Sequence, residues 1–175
     1  IERDLELGHP ALFEAHALSP VDLHQAHRAF AGRMLRQEIY AEDGTPDAAK
    51  PYVVTQQTHR VRPLQPTGDA PYAAYQTIST ETLTIQYERR DTAPRIAHEL
   101  TLEVDALGYP TKTASVAYGH PSGADYPEQQ RSWIVASEST YLQHLERDLA
   151  GGWYRDGVPD ESKTWEPHTA LPRPA

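Results

Sequence analysis

The sequence predicts a mainly β protein, an antiparallel sheet of meander and hairpin strands with one N-terminal α-helix. Three features carry this prediction. From Gly32 onward the apolar residues recur with a period near two rather than 3.6. Fifteen prolines and ten glycines punctuate the chain with turn signals. Ten tyrosines stand against two phenylalanines, a complement suited to half-buried sheet faces. At 175 residues the chain has the length of one domain, with room to bury about 70% of its unfolded surface. With 38% apolar residues, the expected core is thin, as in a sheet open to water on one side.

The helix is predicted over about residues 20–31. Ser19-Pro20-Val21-Asp22 supplies an N-cap, a proline at the first position and an acid in the first turn. Val21, Leu23, Ala26, Ala29 and Phe30 form an apolar stripe, and Gly32 is placed to stop the helix in a left-handed conformation. Upstream, His9 to His16 offers one short additional turn. Strands follow from about residue 33.

Met34 to Ala41 is the first strand, closed by the turn Glu42-Asp43-Gly44-Thr45-Pro46. Tyr52 to Gln65 is rich in β-branched residues. Tyr72 to Ile78 and Thr82 to Arg89 form the next pair. Ala97 to Asp105 alternates most cleanly, with Leu100, Leu102 and Val104 on one face and Glu99, Thr101, Glu103 and Asp105 on the other. Leu100, Leu102, Val104 and Val116 are therefore expected to be packed. Asp105 to Gly108 turns the chain toward Thr113 to Tyr118, a hairpin by pattern. Arg131 to Glu138 is a further strand, Tyr141 to Ala150 a short helix, Asp156 to Pro159 a turn, and Glu161 to Glu166 the last strand. Residues 1–166 are expected to form a single β-rich domain, and 167–175 a proline-rich tail, extended or disordered. No unit repeats closely enough to define a propeller or solenoid.

Charge narrows the partners. Twenty-five acidic against sixteen basic residues give a net charge of −9. A nucleic acid duplex requires a basic footprint, so no nucleic acid partner is expected. The same sign disfavours an anionic membrane surface, and no apolar run approaches the roughly 20 residues of a membrane span, so direct membrane insertion is not expected either. The absence of cysteine removes disulfides, thiolate metal sites and thiol catalysis. The chain opens at Ile1 and reads as a piece of a longer polypeptide.

Each motif that could carry chemistry also has a plainer role. His9, His16, His24 and His27 lie close in sequence, the last two at i, i+3, a spacing that can place two imidazoles on one metal. No H-E-x-x-H pattern accompanies them, and His120 has no second ligand at a recognisable spacing, so these read as exposed or packed histidines. Ser122-Gly123 lacks the first glycine of a nucleophile elbow, and Ser79, Ser115 and Ser137 sit in strand patterns. Glu99, Glu103 and Asp105 share a predicted polar face and read as a solvated surface rather than a hydrolytic pair. No phosphate-binding glycine loop occurs. The expectation is a chain with no catalytic, cofactor-binding or metal residues, and no enzyme activity. A binding module for carbohydrate or protein, using surface tyrosines and acidic residues, is the alternative.

Three blocks then stand out: Gly32 to Thr45 followed by Pro51-Tyr52-Val53-Val54-Thr55; Tyr87-Glu88-Arg89, Pro94 to Asp105 and Ser115 to Gly119; and Glu128-Gln129-Gln130-Arg131 with Gly157-Val158-Pro159. In this order they resemble the middle-to-C-terminal region of the TcdB/SpvB-type toxins, the B component of the bacterial Tc insecticidal complexes. The resemblance covers roughly residues 20 to 166. It implies a non-catalytic segment of a secreted toxin subunit, contributing to an RHS-related β-sheet shell that encloses a toxic effector and helps deliver it. The implied partners are other regions of the same subunit and the C component. The ADP-ribosylating activity of some relatives belongs to a different module, which nothing in these blocks matches.

Overall fold

The computed structural model describes residues 19–65, 67, 70–90, 92–120, 126–142 and 156–167. Among them one helix, α1 (Pro20–Arg28), precedes seven strands. These are β1 (Arg36–Ile39), β2 (Val53–Gln65), β3 (Ala74–Gln86), β4 (Arg95–Val104), β5 (Pro110–Tyr118), β6 (Trp133–Leu142) and β7 (Val158–Trp165). They form one antiparallel sheet in sequence order, β1 to β7, with each strand paired to its chain neighbour.

The helix starts where the sequence places it. Ser19 Oγ accepts from Asp22 N at 3.1 Å, satisfying one of the free N-terminal donors. The α-helical hydrogen bonding ends at Arg28, three residues short of the expected 31, and Gly32 closes the following turns at φ +79°. The face against the sheet is only partly the predicted one: Ala26 and Ala29 belong to it, Val21 and Leu23 do not. Val21 and Leu23 are 63% and 38% exposed, and Ala26 is the buried residue. Asp22, Gln25, Ala26 and Ala29, at i, i+3, i+4 and i+7, meet the sheet instead. Tyr75 Oη donates to Asp22 O (2.9 Å), Thr77 Oγ1 donates to Ala29 O (3.0 Å), and Gln25 Oε1 accepts from Ala73 N (2.8 Å). Polar anchoring, rather than burial of the apolar stripe, decided the helix's rotation.

Residues 72–89, expected as two strands, contain one long strand. Thr58 pairs with Glu81 but His59 pairs with Ser79, so Thr80 is left over as a bulge. The extra residue reverses the alternation. Before it Tyr75 and Thr77 face the helix; after it Glu81, Leu83 and Ile85 face the opposite side. A period that changes phase reads in sequence as a break.

Direct cross-strand partners present their side chains to the same face. Val54, Ile85, Ile96 and Tyr118 therefore form one row, and Gln56, Leu83, His98, Val116 and Ile134 the next. These rows are the apolar face: Val54, Leu83, Ile85 and Ile96 form the core cluster, with Tyr87 and Tyr118 packed against it. Burying a side chain such as Leu83 contributes about 2–3 kcal/mol. On the opposite, wet face the rows are Gln57–Thr82–Glu99–Ser115–Val135 and Thr101–Thr113–Ser137–Thr164.

The expected packing of β4 is only partly present. Val116 is buried and Leu100 and Val104 are half-buried, but Leu102 is 55% exposed. Thr101 pairs with Thr113 and Glu103 with Lys112, so Leu102 occupies a bulge and drops out of the alternation. Glu103 then joins the apolar-face row Glu103–Lys112–Glu138–Lys163, whose charges alternate across four strands. Lys112 Nζ lies 2.8 Å from Glu103 Oε1.

Two further boundaries differ. Tyr141 and Leu142, expected to open a helix, end strand β6, and residues 143–150 lie outside the described residues. Val158 and Pro159, expected in a turn, begin β7. Pro159 is tolerated there because β7 is an edge strand of the described sheet, where a missing N–H need not cost a ladder bond. The short turn at residues 9–16 and the tail from 168 also lie outside the described residues.

Candidate functional site

Among the described residues, the polar side chains singled out in the sequence do not converge; His9, His16 and Ser122 lie outside them. His24 and His27 are both exposed on α1. Among the described residues no group of three or more His, Asp and Glu is arranged to hold a metal ion. Glu99 stays on the wet face, the Leu102 bulge carries Glu103 to the other, and Asp105 is engaged in its own turn. Asp105 Oδ1 accepts from Leu107 N (2.8 Å) and Tyr109 N (2.9 Å), an Asx arrangement that shapes the β4–β5 hairpin. Ser137 bonds across the strand pair to Thr164 (3.1 Å), and Ser115 stands exposed on the wet face. Ser79 lines a hydroxyl-rich hollow of about 440 Å³ where β3 and β4 part.

The tyrosines are likewise dispersed. Tyr75 anchors the helix, Tyr118 packs on the core, Tyr52 lies under the Arg89 guanidinium at 5.4 Å, and Tyr109 stacks on Tyr141 at 5.2 Å. Tyr40, Tyr72 and Tyr126 are exposed at separate places. Among the described residues they do not line up as a carbohydrate-stacking platform.

Three arrangements were not visible in the sequence. On the apolar face His98 sits between Glu81 (Nε2 to Oε2, 3.3 Å) and Tyr118 (Nδ1 to Oη, 3.2 Å), with its ring stacked on Tyr118. Burial, and secondarily the Glu81 charge, pushes the Tyr118 phenol up. The available signal was parity: His98 lies two residues from both Ile96 and Leu100 and so shares their face. Second, Arg62 donates to Asp105 O (3.0 Å) and Ala106 O (2.8 Å) and to the Gln76 amide oxygen, tying β2 to the β4–β5 turn. Third, Arg89, at φ +61°, reaches Asp43 (2.7 Å) and Thr45, pinning the loop after β3 to the loop after β1. The Arg89 hydrogen bonds, with those of Thr45, hold the Asp43 carboxyl down at about 2. The first joins three strands, the second a strand to a turn, and the third two loops.

A wider concavity, about 890 Å³, opens between the β3–β4 loop and the β5–β6 loop. Thr84, Ala97, Ala117 and Trp133 line it, with Arg90, Arg95, His120 and Arg131 around them. The Arg131 guanidinium lies 5.1 Å above the Trp133 ring.

The described residues thus form an amphipathic antiparallel β-sheet segment whose loops are pinned by side-chain hydrogen bonds. Residues 25–150 match the family profile described as the insecticide toxin TcdB middle/C-terminal region. The chain belongs to that family. Among solved structures it is similar to a crystal structure of TcdB2-TccC3, at 26% identity over 84% of this chain with a TM-score of 0.73. It is also similar to TcdB2-TccC3-Cdc42, at 27% identity over 84% of this chain with a TM-score of 0.71. A third is a Photorhabdus luminescens Tc holotoxin pore, at 26% identity over 88% of this chain with a TM-score of 0.69. The chain spans only about 8% of the length of each of these relatives. No curated protein matches it.

Proposed function

We propose that this chain is a non-catalytic structural segment of a Tc-type toxin B subunit, part of the β-sheet shell that encloses a toxic effector and helps deliver it. The observation that carries this reading is the family match laid over an open seven-stranded sheet. A wall element needs one packed face, one wet face and strand edges able to continue into neighbouring strands. Its partners are then the remainder of the same subunit and the C component, in a secreted complex. The non-catalytic role is part of the same reading: most side chains that meet across strands among the described residues are hydroxyls, alternating charges and loop pins.

The test uses the complete B subunit assembled with its C component, with protease protection of the enclosed effector as the readout. Leu83→Asp, at the centre of the apolar face, is expected to abolish protection, while Glu99→Ala on the wet face leaves it intact. Full protection in the Leu83→Asp complex would overturn the wall assignment.

A further inference from the structure

The concavity between the β3–β4 and β5–β6 loops has a built composition. Its floor is one row of cross-strand partners, Thr84–Ala97–Ala117–Trp133, on the wet face. Two neighbouring methyl side chains leave a recess, and the 43% exposed indole of Trp133 stands at its side. Elsewhere on the wet face the rows carry mostly hydroxyl and carboxylate side chains, so this apolar floor is local.

The charges around the recess are equally particular. Arg36, Arg62 and Arg89 are each engaged with a carboxylate or carbonyl oxygen. Arg90, Arg95 and Arg131 line the slot, and their guanidinium groups make no hydrogen bond or ion pair to the described residues, that of Arg131 resting on the Trp133 ring. They are exposed, and only Glu88 and Glu128 oppose them among the lining side chains. On a chain of net charge −9, three guanidiniums without an ion pair to the described residues, against two carboxylates, make a local positive site. Guanidinium groups suit carboxylates because their planar fork can donate two parallel hydrogen bonds. The apolar floor does not suit a free anion, whose hydration it would remove without replacement.

We propose that this slot docks an acidic peptide segment from another region of the same toxin subunit. One aliphatic or aromatic side chain of that segment enters over Ala97 and Ala117 beside Trp133, and its flanking carboxylates meet Arg95 and Arg131. The choice of the same subunit rests on the function proposed above. A chain spanning about 8% of its relatives leaves most of such a polypeptide to supply the segment, and tethering raises its effective concentration.

A photo-crosslinking benzophenone amino acid at Thr92, on the rim of the slot, tests this in the complete subunit assembled with its C component. Mass spectrometry is expected to map the crosslink to an acidic stretch of the same polypeptide. The double substitution Arg95→Glu and Arg131→Glu, both at exposed positions, is expected to lower the yield roughly fivefold or more. A crosslink to the C component or the effector, no crosslink, or a yield unchanged by the double substitution would each overturn the docking inference. Protease protection of the effector is read in the same samples. Loss of protection with the crosslink intact counts against the shell, and intact protection without the crosslink counts against the docking alone.

Discussion

A β-carbon added to Gly108 would stand 2.1 Å from Gln76 Nε2, so the β4–β5 turn is seated directly on strand β3. Gly108 holds φ +92°, and Gln76 Nε2 donates to Leu107 O at 2.6 Å, while Arg62 ties Asp105 and Ala106 from the neighbouring strand. Gly108→Ala is therefore expected to destabilise the chain by about 1–3 kcal/mol, from left-handed backbone strain and displacement of the Gln76 amide. Arg62→Ala should cost about 2 kcal/mol or more by leaving two turn carbonyls without their charged donor. Urea unfolding midpoints measure both, and a loss under about 0.5 kcal/mol for either would show that the turn does not depend on this seat.

Leu83 and Leu102 look alike in sequence, each alternating with Thr or Glu, but only the first is in the core. Leu83→Ala is expected to cost about 2–5 kcal/mol. Leu102→Ala at the bulge should stay within about 0.5 kcal/mol. Equal losses in thermal or chemical unfolding would contradict the register of β4 and β5.

The Asp43–Arg89 pin has an acid limb. Asp43 is held at about 2, against its ordinary 3.8, by hydrogen bonds from Arg89 first and Thr45 second. A carboxyl lowered on folding stabilises fully above its unfolded pKa, and that contribution is lost as pH falls through the folded value. Stability should thus decline between about pH 4 and pH 2 partly through this group. In Asp43→Asn that part of the slope should vanish, which acid titration of the unfolding midpoint reads directly.

Helix α1 is held by the sheet more than by its own apolar stripe. Tyr75→Phe and Thr77→Val each remove one bond to a helix carbonyl and should each cost about 1 kcal/mol. Amide exchange in residues 20–28 is expected to quicken in both variants and most in the double variant. Unchanged exchange would place the anchoring elsewhere.

The sequence by itself determined the class of fold and most of its strands. Alternation is a property of each strand alone, so the stretches around Val54, Leu83 to Ile85, Ile96 to Leu100 and Val116 declared their type and their buried side. The N-cap at Ser19 and the turns at Gly44 and Gly108 were equally local, and the family blocks were legible as residues in order. Tertiary structure decided what depends on register. Thr80 and Leu102 became bulges only because β2 and β5 pair with their neighbours at particular offsets, and each bulge moved the following side chains to the opposite face. That displacement joined two expected strands into β3, exposed Leu102, and separated Glu103 from Glu99. It also required the assembled sheet to bring Arg90, Arg95 and Arg131 around the Ala97–Ala117 recess, since the contributing residues come from four strands and two loops. A single sequence carries the period of each strand, but the offset between strands is set by the summed packing of all of them.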